Sequence, residues 1–401
     1  MLIPIVVFIA TYAFIGIGEI PGLRIDRTGA ALIGASLMVA FGVISLPEAY
    51  RAIDFDTILL LLSMMILVAY LRLSGFFQLV GKWTAEHAQS SITLLVAIVF
   101  LSGLLSAFLV NDAICLVLTP LVLEIVRSAK LNPLPYLLGV AMASNVGSAA
   151  TITGNPQNIL IGSLSQISYG SFAAALGPPA FIGLVVTGLL ILLTFRSEFA
   201  NRLTLEVSLR HVQVHGGMVA KALAITVAIL ILFFAGQPPA KVAFVASSLL
   251  LLTRRVKPEK IYREIDWSLL LLFAGLFVVV GAFEKSVLSP GLLQRFGSLH
   301  LERVPVMSVV SGILSNIVSN VPAVLLLKPF VAHLPDARRA WLTLAMASTF
   351  AGNFTILGSV ANLIVVERAR QHGVHLGFWP YFKVGAPLTV ITIFIGTLFL
   401  R

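Results

Sequence analysis

Apolar residues along this chain come in blocks of helical length, parted by short polar punctuation. A helix that crosses a bilayer needs about 20 predominantly apolar residues, with roughly 17 to 25 tolerated. On that measure the pattern predicts spans near 2–18, 29–46, 56–72, 134–165, 172–195, 217–235, 239–253, 266–283, 338–369 and 379–400. The blocks at 91–127 and 303–334 each hold two apolar arms around a central Asn with no room for a loop, and are predicted to be re-entrant hairpins. Segments 134–165 and 338–369 are too long for one simple helix. Each is predicted to cross once, unwound in the middle at TITGNPQN and TILGSVAN. Non-helical backbone at membrane depth is tolerated only where protein or a wet cavity covers it, so both breaks should face an interior site. The mixed segments 74–90 and 286–302 read as interfacial amphipathic helices.

The pattern is written twice. SGLLSAFLVNDAICLVLTPLV (102–122) returns as SGILSNIVSNVPAVLLLKPFV (311–331), pairing Ser106 with Ser315, Asn111 with Asn320 and Pro120 with Pro329. ASNVGSAATITGNPQN (143–158) returns as ASTFAGNFTILGSVAN (347–362), pairing Ser144 with Ser348, Thr151 with Thr355, Gly154 with Gly358 and Asn158 with Asn362. Upstream, PEAYRAIDF (47–55) is matched by PEKIYREIDW (258–267). The expected fold is therefore an all-α membrane protein of two inverted-topology repeats, each with five transmembrane helices, one of them interrupted, and a re-entrant hairpin. The first repeat is placed at 1–195, a cytoplasmic linker at 196–218 and the second repeat at 219–401. An odd number of crossings per half is what inverts the second half. Duplicated broken segments of this kind point to a secondary transporter's binding site.

Composition agrees with a membrane and excludes other classes. The chain is 58% hydrophobic and 11% charged, with a mean hydropathy of +1.01, whereas soluble domains carry about 25% charged residues. Its net charge of +10 is spread over short loops and forms no block, so topology accounts for it better than a nucleic-acid partner does. With the N-terminus outside, the greater part of the 27 Lys and Arg residues falls in cytoplasmic loops, led by Arg254, Arg255, Lys257, Lys260 and Arg263. The expected location is the inner, or plasma, membrane. The first twenty residues lack a basic n-region and a cleavage site and read as a retained span. The lone Cys115 leaves no disulfide framework or cysteine metal site. No HExxH or GxSxG motif occurs, and no apolar span holds two carboxylates, so an enzyme is not expected.

Ionisable side chains inside a span cost about 2.5 to 3.5 kcal/mol on insertion scales, which makes each one a functional candidate. Asp112, at the first hairpin tip, leads. Lys328, in the outgoing arm of the second hairpin, follows. Around the four breaks, Ser106, Asn111, Ser144, Asn145, Thr151, Thr153, Gly154, Asn155, Gln157, Asn158, Ser315, Ser319, Asn320, Thr355, Gly358 and Asn362 supply hydroxyls, amides and unwound backbone. Carbonyls there coordinate small cations, and half-helix N-termini turn positive dipole ends toward an anion.

At these residues the chain resembles the ion transporter superfamily, which includes arsenite permeases, citrate-metal carriers, divalent anion/sodium symporters and a sodium/proton antiporter branch. The resemblance covers nearly the whole chain and is most specific at GNPQN (154–158) and in the duplicated hairpin. It implies an ion-coupled carrier, usually a homodimer in membrane lipid, with a small anionic solute as cargo. In the sodium-coupled dicarboxylate branch each hairpin tip reads Ser-Asn-Thr, with a further Ser five residues before the Asn. The Ser106/Asn111 and Ser315/Asn320 spacing is kept, which marks these pairs as possible sodium sites, with no other cofactor expected. The tips read Val110-Asn111-Asp112 and Ser319-Asn320-Val321 instead, which points toward an inorganic anion or an arsenite-like oxyanion. The expected function is secondary transport of such a solute by an elevator-type motion, coupled to protons or sodium. The alternatives are a di- or tricarboxylate symporter, a sodium/proton antiporter or a channel. Asp112, acidic at one tip only, is the candidate proton carrier.

Overall fold

The computed structural model describes residues 2–17, 25–199, 214–252, 256–287 and 300–401. Among these residues the fold is helical without strands. The first half contains α1 (Leu2–Ile17), α2 (Arg27–Ala40), α3 (Leu46–Ala52), α4 (Phe55–Ser74), α5 (Phe76–His87), α6 (Ser91–Phe108), α7 (Asn111–Ser128), α8 (Pro133–Ser148), α9 (Pro156–Ser165) and α10 (Tyr169–Thr194). The short α11 (Arg196–Phe199) follows. The second half repeats the order with α12 (Gly216–Phe234), α13 (Pro239–Leu251), α14 (Pro258–Tyr262), α15 (Trp267–Val287), α16 (Val304–Val318), α17 (Asn320–Val331), α18 (Ala337–Ala351), α19 (Val360–Gln371) and α20 (Phe378–Phe399). Six described helices, α4, α6, α10, α12, α15 and α20, are long and apolar enough to span a bilayer.

Local chemistry sets the boundaries. Asp54 caps α4 by accepting from Thr57 N at 2.8 Å, and Ser90 caps α6 by accepting from Thr93 N. A carboxylate or hydroxyl there satisfies one of the amides that an α-helix start leaves open. The expected amphipathic segment at 74–90 contains α5, which buries Phe77, Gly81, Thr84 and Ala85 and exposes Lys82, Trp83 and Glu86. Residues 288–299 of its counterpart at 286–302 lie outside the described residues. So do residues 200–213 of the segment expected to link the halves. The two ends of that segment are helical, since α11 occupies its start and α12 begins at Gly216, three positions into what pattern assigned to the linker.

The two halves interleave. Helices α1 and α2 pack on α15 of the second half, while α12 and α13 pack on α4 of the first. Helix α6 packs on α8 and α16 on α18, and the outgoing hairpin arms reach both halves: α7 lies on α8 and α19, and α17 on α18 and α9. Close approach is made possible by glycine. A Cβ on Gly147 would lie 2.1 Å from the carbonyl oxygen of Gly103, so α6 and α8 touch backbone to backbone. Without a hydrophobic drive between helices in lipid, small residues that permit such contacts carry much of the packing.

In the second hairpin, α16 and α17 have 15 and 12 residues, or about 22 and 18 Å of helix at 1.5 Å per residue, short of a hydrocarbon core of about 30 Å. The arms of the first, 18 residues each, reach about 27 Å. Both tips end inside the protein, with Asn111 and Asn320 buried.

Candidate functional site

Each interrupted helix breaks in the same way. After α8, Thr151 takes φ/ψ of −138°/166°, a single 3-10 turn runs Ile152–Gly154, and extended Asn155 caps α9 by accepting from Asn158 N at 2.8 Å. After α18, Thr355 takes −134°/165°, the turn runs Ile356–Gly358, and extended Ser359 caps α19. The freed carbonyls are answered by one amide in each half. Asn158 Nδ2 donates to Ser148 O and Thr151 O at 3.1 and 3.0 Å; Asn362 Nδ2 donates to Gly352 O and Thr355 O at 2.7 and 3.2 Å. Buried backbone groups without partners would each cost as much as a lost hydrogen bond, so these two Asn residues hold the breaks open.

A polar hub joins the breaks. Asn145 Nδ2 donates to Asn353 Oδ1 and Asn362 Oδ1, both at 2.9 Å, and Asn145 Oδ1 accepts from Asn111 Nδ2 at 3.1 Å and from Ser359 Oγ at 3.0 Å. Its repeat mate Thr349 accepts from Asn155 Nδ2 and Gln157 Nε2 at 3.2 and 3.1 Å. Every group in this hub is buried.

The hairpin tips close over the hub. In the first, Ser106 Oγ lies 2.6 Å from Ser144 Oγ, and Ser144 Oγ donates to Asn111 O at 3.3 Å. In the second, Ser315 Oγ bonds to the Asn320 amide and donates to Ser348 O at 3.0 Å. One terminal atom of that amide lies 3.3 Å from both Ser348 O and Gly358 O, and the other lies 3.2 Å from Gln157 Nε2. Ser319 makes the turn in one residue at φ +74°, a region few non-glycine residues occupy, and such strain collects at functional sites.

Between the tips and the breaks lies a cavity of about 70 Å³. Asn111, Asp112, Gln157, Ser319 and Asn320 line it, as do Arg27 of α2 and Ser359 of the second break. Four helices begin at this cavity: α7 at Asn111, α17 at Asn320, α9 at Pro156 and α19 at Val360. Each N-terminus carries roughly half a positive charge and unbonded amides. A larger groove of about 560 Å³ between α16 and α20 has apolar, outward walls such as Val309, Ile313 and Phe394, with Arg401 its one ionisable lining residue. That groove is a surface suited to lipid rather than to a charged solute.

Among the remaining sequence candidates, Ser106, Asn155, Asn158, Gly358 and Asn362 do not line the cavity, nor do Ser144, Asn145 and Ser315, which hydrogen-bond to its wall at Asn111, Ser359 and Asn320. Gly154 is held against α8, since a Cβ there would sit 2.1 Å from Ser148 O. Thr151 Oγ1 donates to Ala107 O and Thr153 Oγ1 lies 2.8 Å from the Tyr169 hydroxyl, so both brace the first break. Thr355 contributes its carbonyl. Lys328 does not line this cavity. It pairs with Glu284 of α15 at 3.1 Å, because the outgoing arm turns that face toward α15 and a half-buried ammonium gains most beside a carboxylate. Pattern reading missed Arg27, Thr349, Asn353 and Ser359. Two of them were accessible as repeat mates, Thr349 of Asn145 and Ser359 of Asn155.

The family described as CitMHS, citrate transporter, matches residues 6–351. The chain is 31% identical to the 46 kDa membrane protein of Mycobacterium leprae (strain TN), over 99% of this chain and 97% of that one. It is also 31% identical to the silicon efflux transporter LSI3 of Oryza sativa subsp. japonica, over 94% and 93%. In fold it is similar to the crystal structure of the Alcanivorax borkumensis YdaH transporter, with a TM-score of 0.58 at 14% identity, covering 100% of this chain and 97% of that one.

Proposed function

This chain belongs to the CitMHS citrate transporter family and is an integral membrane transporter, and from that premise we propose that it moves a small inorganic anion or oxyanion by ion-coupled secondary transport. The observation that carries the reading is the convergence of four helix N-termini on one cavity. Oriented amides and dipole ends stabilise negative charge without a resident counter-ion. The cavity's size supports an inorganic cargo. About 70 Å³ holds a few waters or one small polyatomic ion, far less than the roughly 300 Å³ at which pockets for larger organic ligands begin.

Cation coupling is part of the same reading. Ser315 and the carbonyls of Ser348 and Gly358 gather neutral oxygens at the second tip beside the Asn320 amide, the donor type a small hard cation takes. Ser106, Ser144 and Asn111 occupy the corresponding place at the first. Sodium would be held there, neutralising part of the cargo's charge. Import of a divalent anion against about 100 mV, negative inside, costs roughly 4.6 kcal/mol, so uptake requires several cations. The recurrence of each element order, with an odd number of crossings per half, supports inverted repeats. The denser packing of α1 and α2 on α15, and of α12 and α13 on α4, than of either group on the hairpins and broken helices supports an elevator motion. Similarity to a silicon efflux transporter favours a second reading, a neutral hydroxylated solute.

Counterflow in proteoliposomes against arsenite, sulfate, phosphate, citrate and succinate, with and without sodium, tests the proposal. Saturable counterflow of an inorganic anion is expected. Non-saturating flux without counterflow would mean a channel, and carboxylate flux alone would return the chain to the carboxylate branch.

A further inference from the structure

The cavity's electrical balance depends on two residues. Of its lining side chains only Arg27 and Asp112 are ionisable. Arg27 is the first residue of α2, partly buried, and makes no ion pair or hydrogen bond among the described residues. Its neighbour Asp26 makes no ion pair with it among the described residues. The Asp26 carboxylate is committed to capping α2, accepting from Gly29 N at 2.7 Å, and that residue is exposed. A guanidinium is charged at every working pH and presents a fork of donors matched to oxyanion oxygens. Placing it without a partner beside four helix N-termini makes no sense for a neutral or cationic solute, because each would add repulsion or leave the charge uncompensated.

Asp112 supplies the opposite sign from the first hairpin tip, five helices on from α2 in the chain. It also lines a second cavity, of about 110 Å³, with Arg72, Glu264 and Asp266. Arg72 and Glu264 pair with each other, and Asp266 caps α15 by accepting from Leu269 N at 3.0 Å. Cys115 shares the arm of Asp112, and Ser144 of α8 donates to the Asn111 carbonyl one residue before it. Asp112 is therefore the one lining carboxylate common to both cavities, set between the guanidinium and the Asp266 end of α15.

We propose that Arg27 is the fixed positive charge that selects an oxyanion in the central cavity, and that Asp112 is the negative charge that offsets it until a proton from water in the second cavity settles on its carboxylate. This rests on the anion-transport reading and deepens it. With Asp112 charged, the two cancel and an entering anion meets no net attraction from side chains. With Asp112 neutral, the guanidinium is free to bind the cargo. Proton and anion would then load together, and loss of the proton would favour release.

The test is protection of the purified full-length protein from thermal unfolding by sulfate, with orthosilicic acid, uncharged at neutral pH, as the second probe. A ligand that binds the folded state raises the midpoint with the logarithm of one plus its concentration over Kd. Arg27→Gln should need about tenfold more sulfate, or beyond, for the same shift, the loss typical of a charge-assisted hydrogen bond, while Arg27→Lys recovers part of it. Asp112→Asn should need less sulfate than wild type. These opposite signs are what a merely structural role would not produce. Equal sulfate protection in wild type and Arg27→Gln, or weakening in both Arg27→Gln and Asp112→Asn, overturns the inference and leaves anion transport standing. Wild type protected by orthosilicic acid and never by sulfate or phosphate overturns the anion reading itself, and protection by none of the three does the same.

Discussion

Asn145 on the first interrupted helix donates to Asn362 on the second at 2.9 Å, and the repeat mate of Asn145, Thr349, reaches the repeat mate of Asn362, Asn158, at 3.5 Å. Each half thus fastens the broken helix of the other. The Nδ2 groups of Asn158 and Asn362 serve the break of their own half, and their Oδ1 atoms tie it to the other half.

Asn145→Ala removes a side chain that serves Asn111, Asn353, Asn362 and Ser359 at once. The expected loss is about 2 to 4 kcal/mol, from several buried groups left unsatisfied at roughly 1 to 3 kcal/mol each with partial relaxation. Asn145→Thr, which copies the repeat mate, should lose less. Thermal unfolding in detergent checks both, and an unchanged midpoint in Asn145→Ala would remove the hub from the account of stability.

Gly147→Ala drives a Cβ into the Gly103 carbonyl at the α6–α8 contact, where neither backbone can yield cheaply. Overpacking of this kind costs about 1 to 3 kcal/mol, and it should lower the yield of folded protein. Gly216→Ala, with nothing near its Cβ, is the control and should behave as wild type.

Asn111→Ala and Asn320→Ala each take an amide from the cavity wall at a hairpin tip. Transport should fall to background in both while the protein remains folded and inserted, because alanine has no polar group to offer the cavity. Wild-type flux in either variant would reduce the tips to structural turns.

Asp112→Asn keeps the shape of the tip and removes its charge. For a proton carrier, flux should lose its response to a pH gradient while counterflow of cargo persists. For a sodium ligand, sodium activation should weaken and pH dependence survive. If neither dependence moves, Asp112 plays no part in coupling.

Membrane orientation is open to direct labelling. In a Cys115→Ser background, single cysteines at Gln166 and Ser168, both exposed between α9 and α10, should react with an impermeant thiol reagent from outside. Cysteines at Lys257 and Lys260, exposed before and within α14, should react only from inside. The reverse pattern would turn the molecule over.

Much of this architecture is written locally, and the sequence alone determined it. The apolar blocks announce helices because burying or immersing 15 to 20 apolar residues leaves the backbone no other way to satisfy its amides. Both hairpins and both breaks were legible because Asn155 and Pro156, or Ser359, begin a helix through contacts within three residues, and because the duplication displayed the same device twice. Tertiary structure alone decided three other matters. It set α4 among α12 and α13, and α15 among α1 and α2, since packing of apolar faces in a bilayer is chosen by shape and small residues, which periodicity does not encode. It gave Lys328 a partner, Glu284, that lies 44 positions away in the chain. It also brought Arg27, which reads in the sequence as one more basic residue at the start of a span, to the cavity where Asn111 and Asn320 meet. Charge interactions act through space, and the distance that matters between Arg27 and the second hairpin tip is fixed only when both halves have folded around each other.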